Sequence, residues 1–80
     1  MAIYDDTTPE HVRERLQLIE AEIRAAVLNV LAQEDVVERL RAGGYSTDLA
    51  EHMLSSFRDV LTLRMTARDR LRTLLRTMDR

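Results

Sequence analysis

The sequence has no cysteine, no tryptophan and no lysine, and only one proline and two glycines among its 80 residues. Without cysteine, neither disulfide bonds nor thiolate metal sites are available, so packing alone must hold the chain together. No run of 18 apolar residues occurs, so we expect no membrane-spanning helix. The first six residues lack the basic and apolar segments of a signal peptide, and we therefore expect a cytoplasmic protein.

The residues that are present indicate one folded domain. Apolar residues make up 45% of the chain and charged residues 32%, with a net charge of −2. The scarcity of glycine and proline argues against disorder. All 12 basic side chains are arginine. A chain of this length allows one domain at most.

Two sets of capping residues predict two helices. Thr8 can cap a helix that starts at Pro9, and the pair Gly43-Gly44 is a natural helix stop. Asp48, followed by Glu51 three residues later, approximates a capping box for a second helix. We therefore expect a flexible arm over 1–7 and a single helical domain over 8–80. Within that domain the predicted elements are a helix over about 9–42, a turn over 43–47 and a helix over about 48–78.

The apolar positions predict how the two helices pack. They recur in steps of four and three, which is a heptad seam typical of coiled coils. The first seam comprises Val12, Leu16, Ile19, Ile23, Ala26, Val30, Gln33, Val37 and Leu40. The second comprises Ala50, Met53, Phe57, Val60, Arg64, Ala67, Leu71, Leu74 and Met78. The two seams are mirror images about residue 45, so the sequence predicts an all-α antiparallel two-helix hairpin.

Charge supports the same pairing of helices. Residues 1–48 carry 5 basic and 10 acidic side chains, whereas residues 49–80 carry 7 and 4. The mirrored register brings Glu20 opposite Arg68 and Glu22 opposite Arg70. A break at the polar stretch 29–35 would instead give a three-helix protein, and this alternative stays open.

A second apolar stripe lies beside the predicted seams. It comprises Val27, Leu31, Leu54, Leu61 and Met65. A contiguous exposed stripe of this kind usually marks an interface, and small scaffolds without disulfide or metal often need a partner. We therefore expect these residues to form an oligomer interface, giving a homodimeric four-helix bundle. Alternatively, a bent hairpin or a three-helix fold would bury them within one chain.

Arginines recur every four residues along the second helix and form a ridge. Its members are Arg64, Arg68, Arg72 and Arg76, and Arg80 continues the spacing. Such a ridge could bind an anion, a nucleic acid or an acidic protein. Glutamates of the first helix lie opposite several of these arginines, and no aromatic residue interleaves with them for base stacking. Nucleic-acid binding is therefore the alternative and not the first interpretation.

No residue pattern indicates catalysis. The two histidines, His11 and His52, lie at opposite ends of the predicted hairpin, and neither has a second ligand at metal spacing on its own helix. We expect no enzyme activity, no cofactor and no metal.

Two polar residues fall on the predicted seams. Arg64 would extend outward to solvent or reach a second subunit, and Gln33 would be hydrogen-bonded or play the same linking role.

The turn and the second helix resemble a group of small uncharacterised bacterial α-helical hairpin proteins. The shared pattern is L-x3-G-x2-T-x2-A-x3-L-x2-F, which runs here from Leu40 through Gly44, Thr47, Ala50 and Leu54 to Phe57. The resemblance covers about half the chain and implies a bacterial helical hairpin without implying any activity. As a function we expect a small scaffold, adaptor or modulator that acts through its helix faces. An inhibitor of a larger protein is a further alternative.

Overall fold

The structure, a computed structural model, describes residues 8–78 and consists of two helices. Helix α1 spans Pro9–Ala42 and helix α2 spans Asp48–Met78, and the two pack against each other as an antiparallel hairpin. No strand occurs among the described residues. The predicted hairpin is confirmed. Because α1 runs without a break through residues 29–35, the three-helix alternative does not arise. The predicted arm over 1–7 lies outside the described residues.

The start of α1 is fixed by Thr8. Its backbone is extended, and its Oγ1 accepts a hydrogen bond of 3.3 Å from the N–H of His11. Pro9 occupies the first helical position, where its missing N–H leaves no bond unmade. The capping that the sequence predicts at this end is therefore formed.

The end of α1 is a Schellman motif built on the glycine pair. The N–H of Tyr45 donates to the carbonyl oxygen of Leu40 (2.9 Å), and the N–H of Gly44 donates to that of Arg41 (3.1 Å). Gly44 has a φ of 76°, in the left-handed region that suits glycine. The last carbonyl groups of α1 are thereby satisfied at the point where the chain reverses.

Helix α2 starts slightly differently from the prediction. The N–H of Glu51 donates to the carbonyl oxygen of Thr47 (2.8 Å), so Thr47 occupies the capping position. Asp48 is the first residue of the helix, and its own N–H donates to Ser46 Oγ at 3.4 Å. The predicted capping box of Asp48 and Glu51 is therefore not the arrangement found. Both acidic side chains still lie in the first turn, where they favour the positive helix end.

The seam of α1 faces α2 as predicted. All nine predicted positions are buried or half-buried, and the fully buried ones are Val12, Ala26, Val30, Gln33 and Val37. The heptad pattern alone selects this side of α1 because the positions on either side of it are mostly charged.

The seam of α2 is rotated relative to the prediction. Leu54 is 7% exposed, whereas Met53, predicted to be in the seam, is 43% exposed. Leu61 and Leu75 are likewise half-buried in place of Val60 and Leu74, which are exposed. Ala50, Phe57 and Leu71 are in the seam as predicted. Three other predicted positions move by one residue, which turns the helix by about 50°.

The rotation has a physical reason. Helix α2 has apolar residues on adjacent heptad stripes, so its apolar arc is wider than one seam. Facing α1 with Leu54 and Leu61 buries branched leucine side chains against Val30 and Val37. The wider arc leaves an apolar stripe outside the hairpin contact, and this stripe is the one that contains Met53 and Val60.

The core is concentrated near the turn. Its buried cluster comprises Val30, Val37, Ala50 and Leu54, with Leu40, Phe57 and Leu61 packed against it. Midway along α2 the seam carries Arg64 and Arg68 instead of apolar residues, and half-buried leucines resume at Leu71 and Leu75. The two arginines therefore separate the cluster near the turn from the outer layers, where Val12 is fully buried.

Candidate interaction surfaces

One long side of the hairpin, here called the charged edge, is a row of ion pairs between the helices. The pairs are Arg41–Glu51 at 2.9 Å, Arg58–Glu34 at 3.0 Å and Arg72–Glu20 at 3.8 Å. The three pairs are mirror images about residue 46, and their members recur at multiples of seven residues. The same symmetry and spacing place Val27 opposite Met65, between the last two pairs.

The predicted oligomer stripe is divided by this arrangement. Leu54 is buried in the core, and Leu61 packs against the core cluster. Val27, Leu31 and Met65 are exposed. All five residues of the stripe were predicted to lie outside the seam. The rotation of α2 instead brings Leu54 and Leu61 into contact with α1. The three remaining residues form a small island that ion pairs flank on both sides.

The opposite side of the hairpin, here called the apolar face, exposes more apolar side chains than the island of Val27, Leu31 and Met65. It comprises Leu18, Val36, Leu49, Met53, Val60, Leu63 and Leu74, all of them exposed. Met53, Val60 and Leu74 flank the seam of α2 on the side away from Glu51 and Arg58, because residues 51 and 53 project to opposite sides of a helix whose seam contains 50 and 54. Leu49 and Leu63 continue this surface outward by one heptad stripe. Val36 of α1 lies at the level of Met53.

The arginine ridge is largely engaged within the chain. Arg64 Nε lies 3.1 Å from Glu22 Oε2, and Arg68 Nε donates to Asp69 Oδ1 at 3.1 Å. Arg72 approaches Glu20 and Arg64 pairs with Glu22, which corrects the predicted pairings of Glu20 with Arg68 and of Glu22 with Arg70. The helix rotation explains the change, because it turns Arg68 towards the seam, where its side chain is 21% exposed.

The last member of the ridge within the described part of the chain is Arg76. Its Nη2 donates to Thr73 Oγ1 at 3.3 Å on the same helix. Arg80, which continues the spacing, lies outside the described residues. Each of the four predicted ridge arginines therefore has a polar partner on its own chain.

The two polar residues of the seams are both satisfied inside the hairpin. Gln33 is buried, and its Nε2 donates to the carbonyl oxygen of Ala50 at 3.0 Å. Arg64 keeps its guanidinium near the surface, with a side chain that is half exposed, and pairs with Glu22. Neither residue needs a second subunit for its hydrogen bonds, and no buried side-chain polar atom lacks a partner within residues 8–78.

The two histidines lie far apart and on different helices. His11 lies beside Glu14, at 3.9 Å from its carboxylate, and His52 is exposed on α2. The part of the chain that the structure describes holds no group of three histidine or acidic side chains that could bind a metal ion. Its concavities are open grooves, such as the one along the outer surface of α2 between Thr66 and Thr77. A catalytic site needs convergent polar groups in a closed pocket.

The apolar face is the surface that reasoning from the sequence missed. A usable signal was present, since Leu49 and Leu63 belong neither to the predicted seams nor to the predicted stripe and lie on the same side of α2. Neither helix has a stretch that is long and apolar enough to cross a membrane. No protein family, no curated protein and no solved structure matches the chain.

Proposed function

We propose that this chain is a small non-enzymatic protein–protein interaction module of the cytoplasm that works as a homo-oligomer through its helix faces. The observation that carries the proposal is the exposure of seven large apolar side chains on one side of the hairpin. Scattered apolar residues are ordinary on protein surfaces, but a contiguous set along two helices marks a surface that contacts another molecule.

The thin core of the hairpin supports the same conclusion. The accessible surface of the whole chain is 6293 Å². A compact monomer of this mass exposes about 5,000 Å². The difference of about 1,300 Å² exceeds the roughly 800 Å² that each partner buries in a standard interface. Association would bring the buried fraction of the chain to that of an ordinary globular protein.

The form of association we propose is a dimer. Two antiparallel hairpins stacked on each other give a four-helix bundle, the simplest closed arrangement for helices of this length. A closed dimer covers the exposed apolar surface of both copies equally. The scaffold, adaptor or modulator role then belongs to the surfaces that remain outside the bundle.

Binding of nucleic acid or another polyanion through the arginine ridge is the weaker candidate. Two of its arginines pair with glutamates of α1, and the others contact Asp69 and Thr73. An incoming phosphate would have to displace these partners. Inhibition of a larger protein is compatible with the small size, but no residue favours it.

Size-exclusion chromatography with light scattering tests the proposal. We expect the mass of two chains, twice 9.3 kDa, at micromolar concentration. Dilution should return the chain to a monomer, with a midpoint that gives the dissociation constant. A constant mass of one chain up to several hundred micromolar would end the proposal of a homo-oligomer.

A further inference from the structure

We infer that the apolar face is covered by a second copy of this chain, stacked so that both turns lie at the same end of a four-helix bundle and α1 of each copy packs against α2 of the other. This inference rests on the proposed homo-oligomer and deepens it, since it names the surface and the relative orientation. Three properties of the described residues support it.

The first property is the spacing on α2. Leu49, Met53, Val60 and Leu63 follow steps of four, seven and three residues, and Leu74 lies two heptads after Val60 on the same stripe. A heptad stripe sustained over this distance fits another long helix, because only a helix keeps its side chains in phase with it. A short peptide or a loop would cover a fraction of the stripe.

The second property is the area. From Leu49 to Leu74 the stripe runs for about 38 Å along α2, and two helices side by side are about 20 Å wide. The whole side of the hairpin that carries the apolar face therefore has a footprint of about 750 Å² per copy, which includes polar side chains such as Glu22 and Arg70. This is close to the 800 Å² per partner of a stable interface.

The third property is charge, which decides between the two faces of the hairpin. A second copy on the charged edge would bury the pairs Arg58–Glu34 and Arg72–Glu20 around the small island of Val27 and Met65. Removing such pairs from water is unfavourable. The apolar face carries one interhelical ion pair, Arg64–Glu22, against three on the charged edge, so covering it desolvates fewer charges.

Charge also decides the orientation. Among the residues of α1 there are seven acidic and five basic side chains, and α2 has four and six. With the turns at the same end, each helix has neighbours of opposite net charge. With the turns at opposite ends, α1 would pack against α1 and α2 against α2. Attraction between helices of opposite net charge therefore favours the arrangement with both turns at the same end.

One arginine fits this orientation specifically. Arg70 lies on the heptad stripe of Leu49 and Leu63 and makes no ion pair with another residue in the range 8–78. Glu22, which also pairs with Arg64 of its own chain, is its mirror image about residue 46. Stacking with the turns together brings Arg70 of one copy to the level of Glu22 of the other, at the rim of the apolar face.

A matched pair of variants tests which surface is covered. Leu63, on the apolar face, is 69% exposed, and Leu31, beside the charged edge, is 55% exposed. Neither side chain supports the hairpin itself, so a charge at either position leaves the intrachain core intact. Light scattering should show one chain for Leu63→Glu and two chains for Leu31→Glu. A dimer that survives Leu63→Glu but is lost in Leu31→Glu, or a dimer that survives both, would overturn the assignment of the apolar face while leaving the homo-oligomer in place.

A distance measurement tests the orientation without touching either face. The sequence has no cysteine, so Ser46→Cys provides one attachment point for a spin label in the turn. Pulsed electron paramagnetic resonance should give a distance between the two labels below about 30 Å if the turns lie at the same end. A distance near 50 Å, the length of α1 at 1.5 Å per residue, would show the opposite stacking and refute the inference. A wild-type chain that stays monomeric would refute it together with the homo-oligomer.

Discussion

The Nε2 of Gln33 donates a hydrogen bond of 3.0 Å to the carbonyl oxygen of Ala50, and this buried contact ties the last third of α1 to the start of α2. The acceptor already belongs to the helical hydrogen-bond ladder of α2, so the amide adds a second bond to it. A polar residue in an apolar seam is tolerated because its donor is satisfied.

Replacing Gln33 separates the hydrogen bond from the packing. We expect Gln33→Met, which keeps the volume, to lower the free energy of unfolding by about 1 kcal/mol or less, because the carbonyl retains its helical donor. Gln33→Ala should cost about 1 kcal/mol more, because it also leaves a cavity. Urea unfolding at equal chain concentration measures both. A larger loss for Gln33→Met than for Gln33→Ala would contradict this account.

The glycine pair at the turn should respond unequally to substitution. Gly44 has a φ of 76°, so Gly44→Ala should destabilise the hairpin by about 1–2 kcal/mol through backbone strain. Gly43 has an ordinary φ of −83°, and an added Cβ would clash with the ring of Tyr45, at 2.8 Å, while the carbonyl oxygen of Arg39 lies at an ordinary contact distance of 3.5 Å. Since that ring is exposed and can turn away, Gly43→Ala should cost less. Thermal unfolding followed by circular dichroism gives the order of the two losses, and a reversed order would contradict the Schellman geometry.

The rotation of α2 can be checked with two neighbouring residues. Leu54→Ala should reduce stability by about 2 kcal/mol or more, because it empties part of the core cluster. Met53→Ala should change it by less than about 0.5 kcal/mol when the chain is dilute enough to be monomeric. Chemical unfolding at low concentration provides the comparison. Equal losses of stability in the two variants, or a greater loss in Met53→Ala, would contradict the rotation and support the seam that the sequence pattern predicts.

Titration with nucleic acid addresses the arginine ridge. We expect fluorescently labelled DNA and RNA to show no saturable binding even at low salt, where phosphate contacts are strongest. The reason is that Arg64 and Arg72 are already paired with Glu22 and Glu20. Fluorescence anisotropy across a salt series measures this. Tight binding that weakens steeply with salt and is lost in Arg64→Gln/Arg72→Gln would favour the polyanion alternative.

The sequence was most informative where local rules act alone. Thr8 and Pro9 start a helix, and Gly44 ends one, through hydrogen bonds and φ values that involve only near neighbours. The seam of α1 was also predictable, because charged residues bracket it closely. Near Gly44 and along α1, pattern and packing therefore agree.

The side of α2 that meets α1 was less predictable. Met53 and Leu54 are both apolar and adjacent, so the heptad pattern accommodates either. The choice depends on which side chains fill the space beside Val30 and Val37, and that is a property of the assembled hairpin. The ion-pair partners follow from the same rotation, which is why Glu20 meets Arg72 and not Arg68. The apolar face was missed for this reason too, since it becomes visible only after the seam has been assigned.

The concentration of the core beside the turn implies an order of folding. The partners in the interhelical ion pairs are 10, 24, 42 and 52 residues apart, for Arg41–Glu51, Arg58–Glu34, Arg64–Glu22 and Arg72–Glu20 respectively. Closing a long loop directly costs more chain entropy than extending a contact already made. The chain should therefore close like a zipper from its glycine turn, each layer shortening the loop that the next must close. Opening should begin at the free ends, which are farthest from the turn.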